Sequence, residues 1–317
     1  MNWKVRFPAM EKKVDIVVIG TILKEIVHFP DGREIGPVIG SPVAYSSLVM
    51  AAQGINVGIV TYYGGDMPEI IGELDMLDRR NMMPWEHTTT NMLMYREDGT
   101  KYINYIKKAP PIRYRDICGA FRACRYFKIC PMDYEVDLKL VRRLHNEGKT
   151  VFVDLGGYGG ATSDVRYSVE DDYGYKVISA LCKNSTIVKA SQEDLASIVP
   201  GRSAEDAAGY LLDQGARTAV VTCGASGAFY RQAGRDPVWW RPFKAASEEE
   251  NGKLDLTGAG DSFGGGFMAS YLLNGDVDAA MVNGNCTASL MIQRSGGCTF
   301  KRMPTRERIA RRVATGE

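Results

Sequence analysis

The sequence predicts an α/β protein with a doubly wound, mostly parallel sheet that is flanked by helices. Short apolar runs and stretches of helical periodicity follow each other along the 317 residues. The runs do not alternate between apolar and polar positions, which is typical of strands covered by helices on both faces. A Gly-rich turn at 258–260 leads directly into a long helical pattern. These three observations indicate a layered α/β architecture.

The individual elements follow from the apolar runs and from the glycines that end the helical patterns. Gly54 and Gly148 each close a helical stretch, and Asn274-Gly275 provides a third stop signal. The predicted strands are 14–19, 57–62, 126–130, 150–154, 186–189 and 218–222. The predicted helices are 44–53, 136–146, 204–213 and the segment from Asp261 to Asn274.

Two segments interrupt this order, at about 22–40 and 91–108. The first contains Asp31-Gly32 and the second Asp98-Gly99, each between runs rich in apolar and aromatic residues. Asp-Gly favours a two-residue hairpin turn, because both central positions need positive φ. We expect two hairpins that form a small β lid over one edge of the sheet, while ordinary surface hairpins are the alternative.

Composition excludes several classes of function. The formal net charge is +1, so nothing favours nucleic acid or a membrane surface as partner. The longest apolar runs are far shorter than the roughly 20 residues of a membrane-spanning helix. The first residues lack the apolar stretch of a secretory signal, so we expect a cytoplasmic protein. The seven scattered cysteines read as reduced thiols.

The segment Asp255-Leu256-Thr257-Gly258-Ala259-Gly260-Asp261 carries the strongest chemical signal. A Gly-rich loop at a helix start presents free amides at the positive end of the helix dipole, which suits a phosphate. Asp261, in the first turn, can accept a proton from an attacking hydroxyl. A plain helix-terminal charge is the alternative. However, glycines 264–266 should cost about 1 kcal/mol each in a helix, which indicates close approach of another group. Walker A and Rossmann glycine motifs are absent.

This segment resembles the DTxGAGD signature of the PfkB, or ribokinase-like, carbohydrate kinases, with Leu256 in the usual Thr position. Further landmarks of that family follow the same order along nearly the whole chain. They are Val18-Ile19-Gly20, Gly40-Ser41, the strand and NxxE-like stretch 187–194, the VTxGxxGA-like loop 220–228, and Asn285 with Ala288 and Gly296-Gly297. The resemblance implies a single ribokinase-like domain over 1–317, with the lid contributed by about 22–40 and 91–108.

The resemblance also implies a reaction and its residues. The γ-phosphoryl group of ATP would pass to an alcohol with Mg²⁺ present, and Asp261 would be the base. The backbone amides of Gly258, Ala259, Gly260 and Asp261 would stabilise the transferred group. The nucleotide would be held by Ser191, Thr222, Gly224, Gly227 and Asn285. Asp194 would order Mg²⁺ through water, with Glu193 as the competing residue. Use of a monovalent cation is left open.

The acceptor side departs from the family pattern. Glu25 stands where the family often has an Asp, Ser41 replaces the second Gly after Gly40, and Tyr45 replaces an Asn. These four residues are the expected contacts of a small polyol acceptor. We therefore expect a sugar or a cyclitol such as inositol, with a nucleoside kinase as the nearest rival and a non-catalytic interaction protein as a third reading. An exposed lid edge would also allow a homodimer.

Overall fold

The computed structural model describes residues 13–67, 72–97, 101–248, 252 and 254–316. The strands are β1 Ile16–Ile19, β2 Leu23–His28, β3 Glu34–Gly40, β4 Val57–Gly64, β5 Asp78–Trp85, β6 Thr89–Tyr95, β7 Lys101–Lys107, β8 Tyr126–Ile129, β9 Thr150–Asp154, β10 Ile187–Ser191, β11 Thr218–Thr222, β12 Ala228–Gln232 and β13 Val238–Trp240. The helices are α1 Pro42–Ala52, α2 Gly119–Arg122, α3 Leu138–Asn146, α4 Asp172–Lys183, α5 Gln192–Ile198, α6 Ala204–Asp213, α7 Ala259–Asn274, α8 Val277–Met291 and α9 Arg306–Thr315.

The larger sheet has the strand order β13-β12-β11-β10-β9-β8-β1-β4-β5 among the described residues. The strands from β11 to β5 are mutually parallel. At the other edge β12 and β13 add antiparallel pairs. The mostly parallel sheet predicted from the sequence is confirmed, although β5, β12 and β13 were not predicted.

Helices cover both faces of this sheet. Val17 and Ile19 of β1 lie in a core shared with α3, α4, α5 and α6. Ile16 and Val18 lie in a second core shared with α1, α7 and α8. All four side chains are fully buried, so neither face of the strand tolerates a polar residue. This explains the unbroken apolar runs in the sequence.

The smaller sheet has the order β3-β2-β6-β7 and is built from the two predicted hairpin segments. β2 and β3 are antiparallel, as are β6 and β7, and β2 pairs with β6 in parallel. The loop at 29–33 is longer than the expected two-residue turn, and only Gly32 has positive φ there. Asp98-Gly99 lies outside the described residues. A lid role for this sheet, and the extent of a single domain, stay predictions.

The glycines of α7 face the neighbouring elements, as their cost in a helix indicated. A Cβ on Gly265 would lie 2.8 Å from the carbonyl oxygen of Ser46 on α1, and one on Gly264 would lie 3.3 Å from Lys128 Nζ on β8. α7 ends at Asn274, and Gly275 follows in the left-handed conformation. Close packing therefore places the start of α7 over the carboxyl ends of the parallel strands. None of the helices within the described ranges has the length and apolarity needed to cross a bilayer.

Candidate active site

The loop before α7 ends in a helix terminus that is open to an anion. Gly258 caps the helix with a φ of 74°, a conformation that glycine adopts without strain. The amide of Ala259 donates to the Leu256 carbonyl at 3.2 Å. The amides of Gly260 and Asp261 are the next donors of this terminus. With the helix dipole they form a site suited to a phosphoryl group.

Asp261 lies in the first turn of α7, and its side chain is partly exposed. Loss of hydration raises the pKa of its carboxyl group to about 6, against the opposing effect of the Lys189 ammonium group. The Asp154 carboxylate raises this pKa further and Lys128 lowers it. A carboxylate of this pKa is ionised at neutral pH and still accepts a proton, as a general base must.

Two buried lysines beneath the loop were missed by the sequence analysis. Lys189 on β10 is 4% exposed and forms an ion pair with Asp154 at 2.9 Å. Lys128 on β8 is fully buried, and its Nζ donates to Ser46 Oγ at 2.9 Å. A Cβ on Gly260 would lie 3.4 Å from Lys189 Nζ. The signal was present in the sequence, because a lysine inside an otherwise apolar strand needs a partner.

Tyr45 lies against the catalytic loop, residues 255–261. Its side chain is 2% exposed, and a Cβ on Gly258 would lie 2.6 Å from the tyrosine ring. Burial also raises the pKa of the Tyr45 hydroxyl far above its usual range. The neighbouring Ser46 donates its hydroxyl to the Asp261 carbonyl at 2.9 Å. Tyr45 was expected among the acceptor contacts, but this geometry supports a different role, in which it packs beneath the loop.

A cleft of about 850 Å³ opens beside Gly260. All five residues predicted to bind the nucleotide line it: Ser191, Thr222, Gly224, Gly227 and Asn285. Ala288, expected beside Asn285, lines it too. The remaining lining is largely apolar and includes residues that were not predicted from the sequence: Phe243, Leu254, Leu256, Phe263 and Ile292. Residues from five separate segments of the chain thus share one cavity that ends at the helix terminus.

Asn285 brings an unused donor to this cleft. The residue is 7% exposed, and its Nδ2 atom is buried without a hydrogen-bond partner among the described residues. A buried amide without a partner is costly. A ligand with an acceptor atom at this position would satisfy it.

The two acidic residues expected to order Mg²⁺ occupy different surroundings. Glu193 is exposed and lines the cleft. Asp194 is buried, and its carboxylate accepts hydrogen bonds from the amides of Ser191 at 2.7 Å and Ala161 at 2.8 Å. Asp194 therefore caps α5 and holds the loop after β9, while Glu193 has the carboxylate that faces the cleft. The described residues contain no group of three potential ligands that would bind a metal alone.

The expected acceptor residues lie together where β2, β3 and α1 meet. Asn91 of β6, which the sequence analysis missed, donates to the Glu25 carboxylate at 3.1 Å. A Cβ on Gly40 would lie 3.4 Å from Glu25 Oε1, so glycine leaves room for that carboxylate. Ser41 caps α1 with a φ of 116°, a strained conformation typical of functional sites. It stands one helical turn before Tyr45, which places these residues beside the catalytic loop.

Comparison with known proteins gives the family. The sequence profile of pfkB family carbohydrate kinases matches residues 141–306. The chain is 29% identical to a cytidine kinase of Thermococcus kodakarensis over 265 residues, which cover 81% of this chain and 88% of that protein.

Solved structures agree on the fold. An Arabidopsis thaliana ribokinase complexed with ribose and ATP superposes with a TM-score of 0.72 at 18% identity, covering 95% of this chain and 98% of that one. A pyrophosphate-dependent kinase of the ribokinase family, complexed with a pyrophosphate analogue and myo-inositol, gives a TM-score of 0.73 at 17% identity, covering 90% and 98%. Because the family profile matches just over half of its sequence, the protein belongs to the pfkB family of carbohydrate kinases, phosphotransferases whose acceptors carry a hydroxyl group.

Proposed function

We propose that this kinase transfers the γ-phosphoryl group of ATP to a hydroxyl of a sugar or a cyclitol, with Asp261 as the general base. One observation carries the proposal. Asp261, with its pKa raised to about 6, stands at the helix terminus where the large cleft ends. A base, an anion site and a nucleotide-sized cavity thus meet at one point, as phosphoryl transfer requires.

The reaction follows from these positions. The acceptor hydroxyl attacks the γ-phosphorus while Asp261 takes its proton, and the bond to the β-phosphate oxygen breaks to release ADP. The amides of Gly260 and Asp261 stabilise the negative charge on the transferred group. Lys189, close beneath Gly260, adds positive charge at the same place. Tyr45 and Ser46 hold the loop in position from α1.

The shape of the cleft favours a nucleotide over pyrophosphate as donor. Pyrophosphate would need only the polar end next to Gly260. The cleft continues to apolar walls that include Leu256 and Ile292, and to the unsatisfied amide of Asn285. An adenine ring is flat and largely apolar with acceptor nitrogens at its edge, so it matches this lining. We therefore propose ATP as donor, and pyrophosphate serves as the control donor.

Magnesium fits the site as a partner of the donor phosphates. Mg²⁺ keeps several waters and commonly takes one or two carboxylates together with phosphate oxygens. Glu193 faces the cleft and would contact the ion through water, while Asp194 is already engaged in capping α5. When bound, Mg²⁺ neutralises charge on the phosphates. Of the two expected residues we therefore propose Glu193.

A nucleoside is the second candidate acceptor. The supporting observation is the similarity to a cytidine kinase over most of both chains. The acceptor-side carboxylate of Glu25, held by Asn91, would bind vicinal hydroxyls of a sugar ring, of a cyclitol or of a ribose alike. The acceptor site therefore supports the binding of polyols in general.

An acceptor screen tests the proposal. The purified protein is incubated with ATP and Mg²⁺ and with panels of sugars, cyclitols and nucleosides, and ADP formation is followed. Each panel is repeated with pyrophosphate as donor. We expect ATP-dependent turnover of a sugar or cyclitol. Turnover confined to nucleosides would replace the acceptor class, and turnover only with pyrophosphate would refute the donor assignment.

A further inference from the structure

A buried guanidinium group lies directly behind the catalytic loop. Arg302 is 4% exposed and ends the short 3-10 helix Phe300–Arg302 that precedes α9. Neither the donor cleft nor the acceptor site contains it. A buried charge is costly unless it is paired and hydrogen-bonded, so the partners of Arg302 indicate what the charge is for.

Four oxygen atoms converge on this guanidinium group. Nη1 donates to the Gly297 carbonyl at 3.0 Å, and Nη2 donates to the Met291 carbonyl at 3.2 Å. Nη2 also lies 3.2 Å from a carboxylate oxygen of Asp255 and 3.5 Å from its carbonyl oxygen. Positive φ at Gly297 shapes the turn that supplies the first of these oxygens. Three chain segments thus meet at one cation.

This oxygen set has the chemistry of a site for a hard cation. Backbone carbonyl and carboxylate oxygens are the groups that replace the hydration shell of alkali and alkaline-earth ions in proteins. Here the Arg302 guanidinium already fills the space between them. A monovalent cation, whose use the family resemblance left open, therefore does not fit at this set of oxygens.

The guanidinium also fixes the start of the catalytic loop. Asp255 accepts a hydrogen bond from the Thr257 amide at 3.0 Å and donates its own amide to the Ile292 carbonyl at 2.9 Å. The pair between Arg302 and Asp255 anchors the segment three residues before Gly258. A shift there would displace the amides that face the donor and the Asp261 carboxylate.

We infer that Arg302 is a positioning residue that supplies the catalytic loop with a built-in cation, so that this kinase needs no monovalent metal ion. The inference rests on the proposed function for its catalytic consequence. Whether Arg302 takes the place of a monovalent cation is a question of ion binding, which can be measured without turnover.

The experiment compares wild type with Arg302→Ala, Arg302→Lys and the control Arg311→Ala, whose side chain is exposed on α9. Turnover on the acceptor found in the screen is measured in potassium, sodium and choline chloride at equal ionic strength. Wild type and Arg311→Ala should differ by less than about twofold between salts. The kcat of Arg302→Ala should be at least about tenfold lower than that of wild type, with a smaller change in KM. Added potassium or about 20 mM guanidinium should restore part of the lost kcat, whereas urea should not. Arg302→Lys should retain more activity than Arg302→Ala.

Melting temperature provides the readout that does not depend on turnover. Arg302→Ala opens the oxygen set, so its melting temperature should rise in potassium relative to choline, whereas that of wild type should not. A wild-type enzyme that requires potassium would overturn the inference, as would a loss in Arg302→Ala that no cation relieves. If Arg302→Ala does not fold, Arg302→Gln takes its place, and a kcat of Arg302→Gln equal to that of wild type in choline chloride overturns the inference, because the positive charge would then be dispensable. If no acceptor is turned over, the proposed function fails and the melting data alone decide on the cation.

Discussion

Asp261 is subject to opposing electrostatic influences that set where it titrates. Loss of hydration and the Asp154 carboxylate raise the pKa of its carboxyl group, while Lys189 and Lys128 lower it, with the result at about 6. Only the ionised carboxylate accepts a proton. We therefore expect kcat/KM to be constant above about pH 7 and to fall about tenfold per pH unit well below pH 6.

The variant Asp154→Asn identifies the titrating group, because ATP also changes its protonation in this range. Asn keeps a hydrogen-bond acceptor for Lys189 but removes a negative charge near Asp261. Both the lost charge and the freed Lys189 charge stabilise the carboxylate, so the acidic limb of the kcat/KM profile should move to lower pH. A limb that stays in place would assign the titration to a group other than Asp261.

Removal of the base gives the most direct test of the mechanism. Asp261→Asn should lower kcat by at least about 10²-fold, the scale of general-base catalysis. ATP affinity, measured by calorimetry, should remain close to that of wild type, because Asp261 is not among the residues that line the cleft. Asp213→Asn, on the exposed end of α6, is the matched control and should be fully active. Full activity of Asp261→Asn would contradict the assigned role.

Two asparagines on α8, Asn285 and Asn283, are expected to affect different properties: the first ATP affinity and the second the stability of the fold. Asn285→Leu removes a buried donor that has no partner among the described residues, so the ligand-free protein should be as stable or more stable. Its ATP affinity should fall by about 2–10-fold, the value of one hydrogen bond. Asn283 Nδ2 bonds to Gln53 and to the Gly266 carbonyl.

Asn283→Leu should therefore show the opposite result, a loss of about 1–3 kcal/mol in the free energy of unfolding with ATP affinity unchanged. Calorimetry and urea denaturation measure the two quantities. Equal ATP affinity in wild type and Asn285→Leu would remove this residue from the nucleotide site.

At the scale of elements, the contact between α1 and α7 holds the site together. Gly265 of α7 faces the backbone of Ser46, where a Cβ would lie 2.8 Å from a carbonyl oxygen that cannot move without moving α1. Gly265→Ala should therefore reduce the free energy of unfolding by about 1–3 kcal/mol, despite the better helix propensity of alanine. Urea denaturation with an unchanged m-value measures this loss.

Gly119→Ala is the control for that substitution. Gly119 begins α2, is exposed, and has nothing within 4 Å of an added Cβ. The same exchange should be neutral or slightly stabilising there. A Gly265→Ala protein as stable as Gly119→Ala would show that α1 and α7 are less tightly packed than described.

At the scale of the whole molecule, the smaller sheet leaves apolar side chains on its outer face. Ile106 of β7 is 49% exposed, and Tyr102 on the same face of that edge strand is also exposed. An edge strand with apolar residues readily pairs with another copy. We predict a homodimer through this sheet, which light scattering of the wild-type protein would detect.

Ile106→Asp should convert that dimer to a monomer, because it places a charge in the contact. Val313→Asp, at a similarly exposed apolar position on α9, should leave the dimer intact. A monomeric wild type, or a dimer that survives Ile106→Asp, would argue against pairing through this sheet.

The features that could be predicted from the sequence are those that neighbouring residues determine. Gly258 and Gly275 could be predicted because a left-handed backbone favours glycine wherever it occurs. The apolar strands could be predicted because both of their faces are buried. By contrast, Asp194 and Glu193 are neighbours with the same chemistry, and only the start of α5 decides that Asp194 turns inward to cap the helix while Glu193 faces the cleft.

The sequence by itself determined the α/β layering and the chemical character of the catalytic loop, because both depend on short-range periodicity and on glycine. The tertiary structure alone decided which charges surround that loop. Lys189 meets Asp154 across 35 positions of the chain, Lys128 meets Ser46 across 82, and Arg302 meets Asp255 across 47. Such pairs form only when folding removes the charges from water, so no local pattern records which of them will meet.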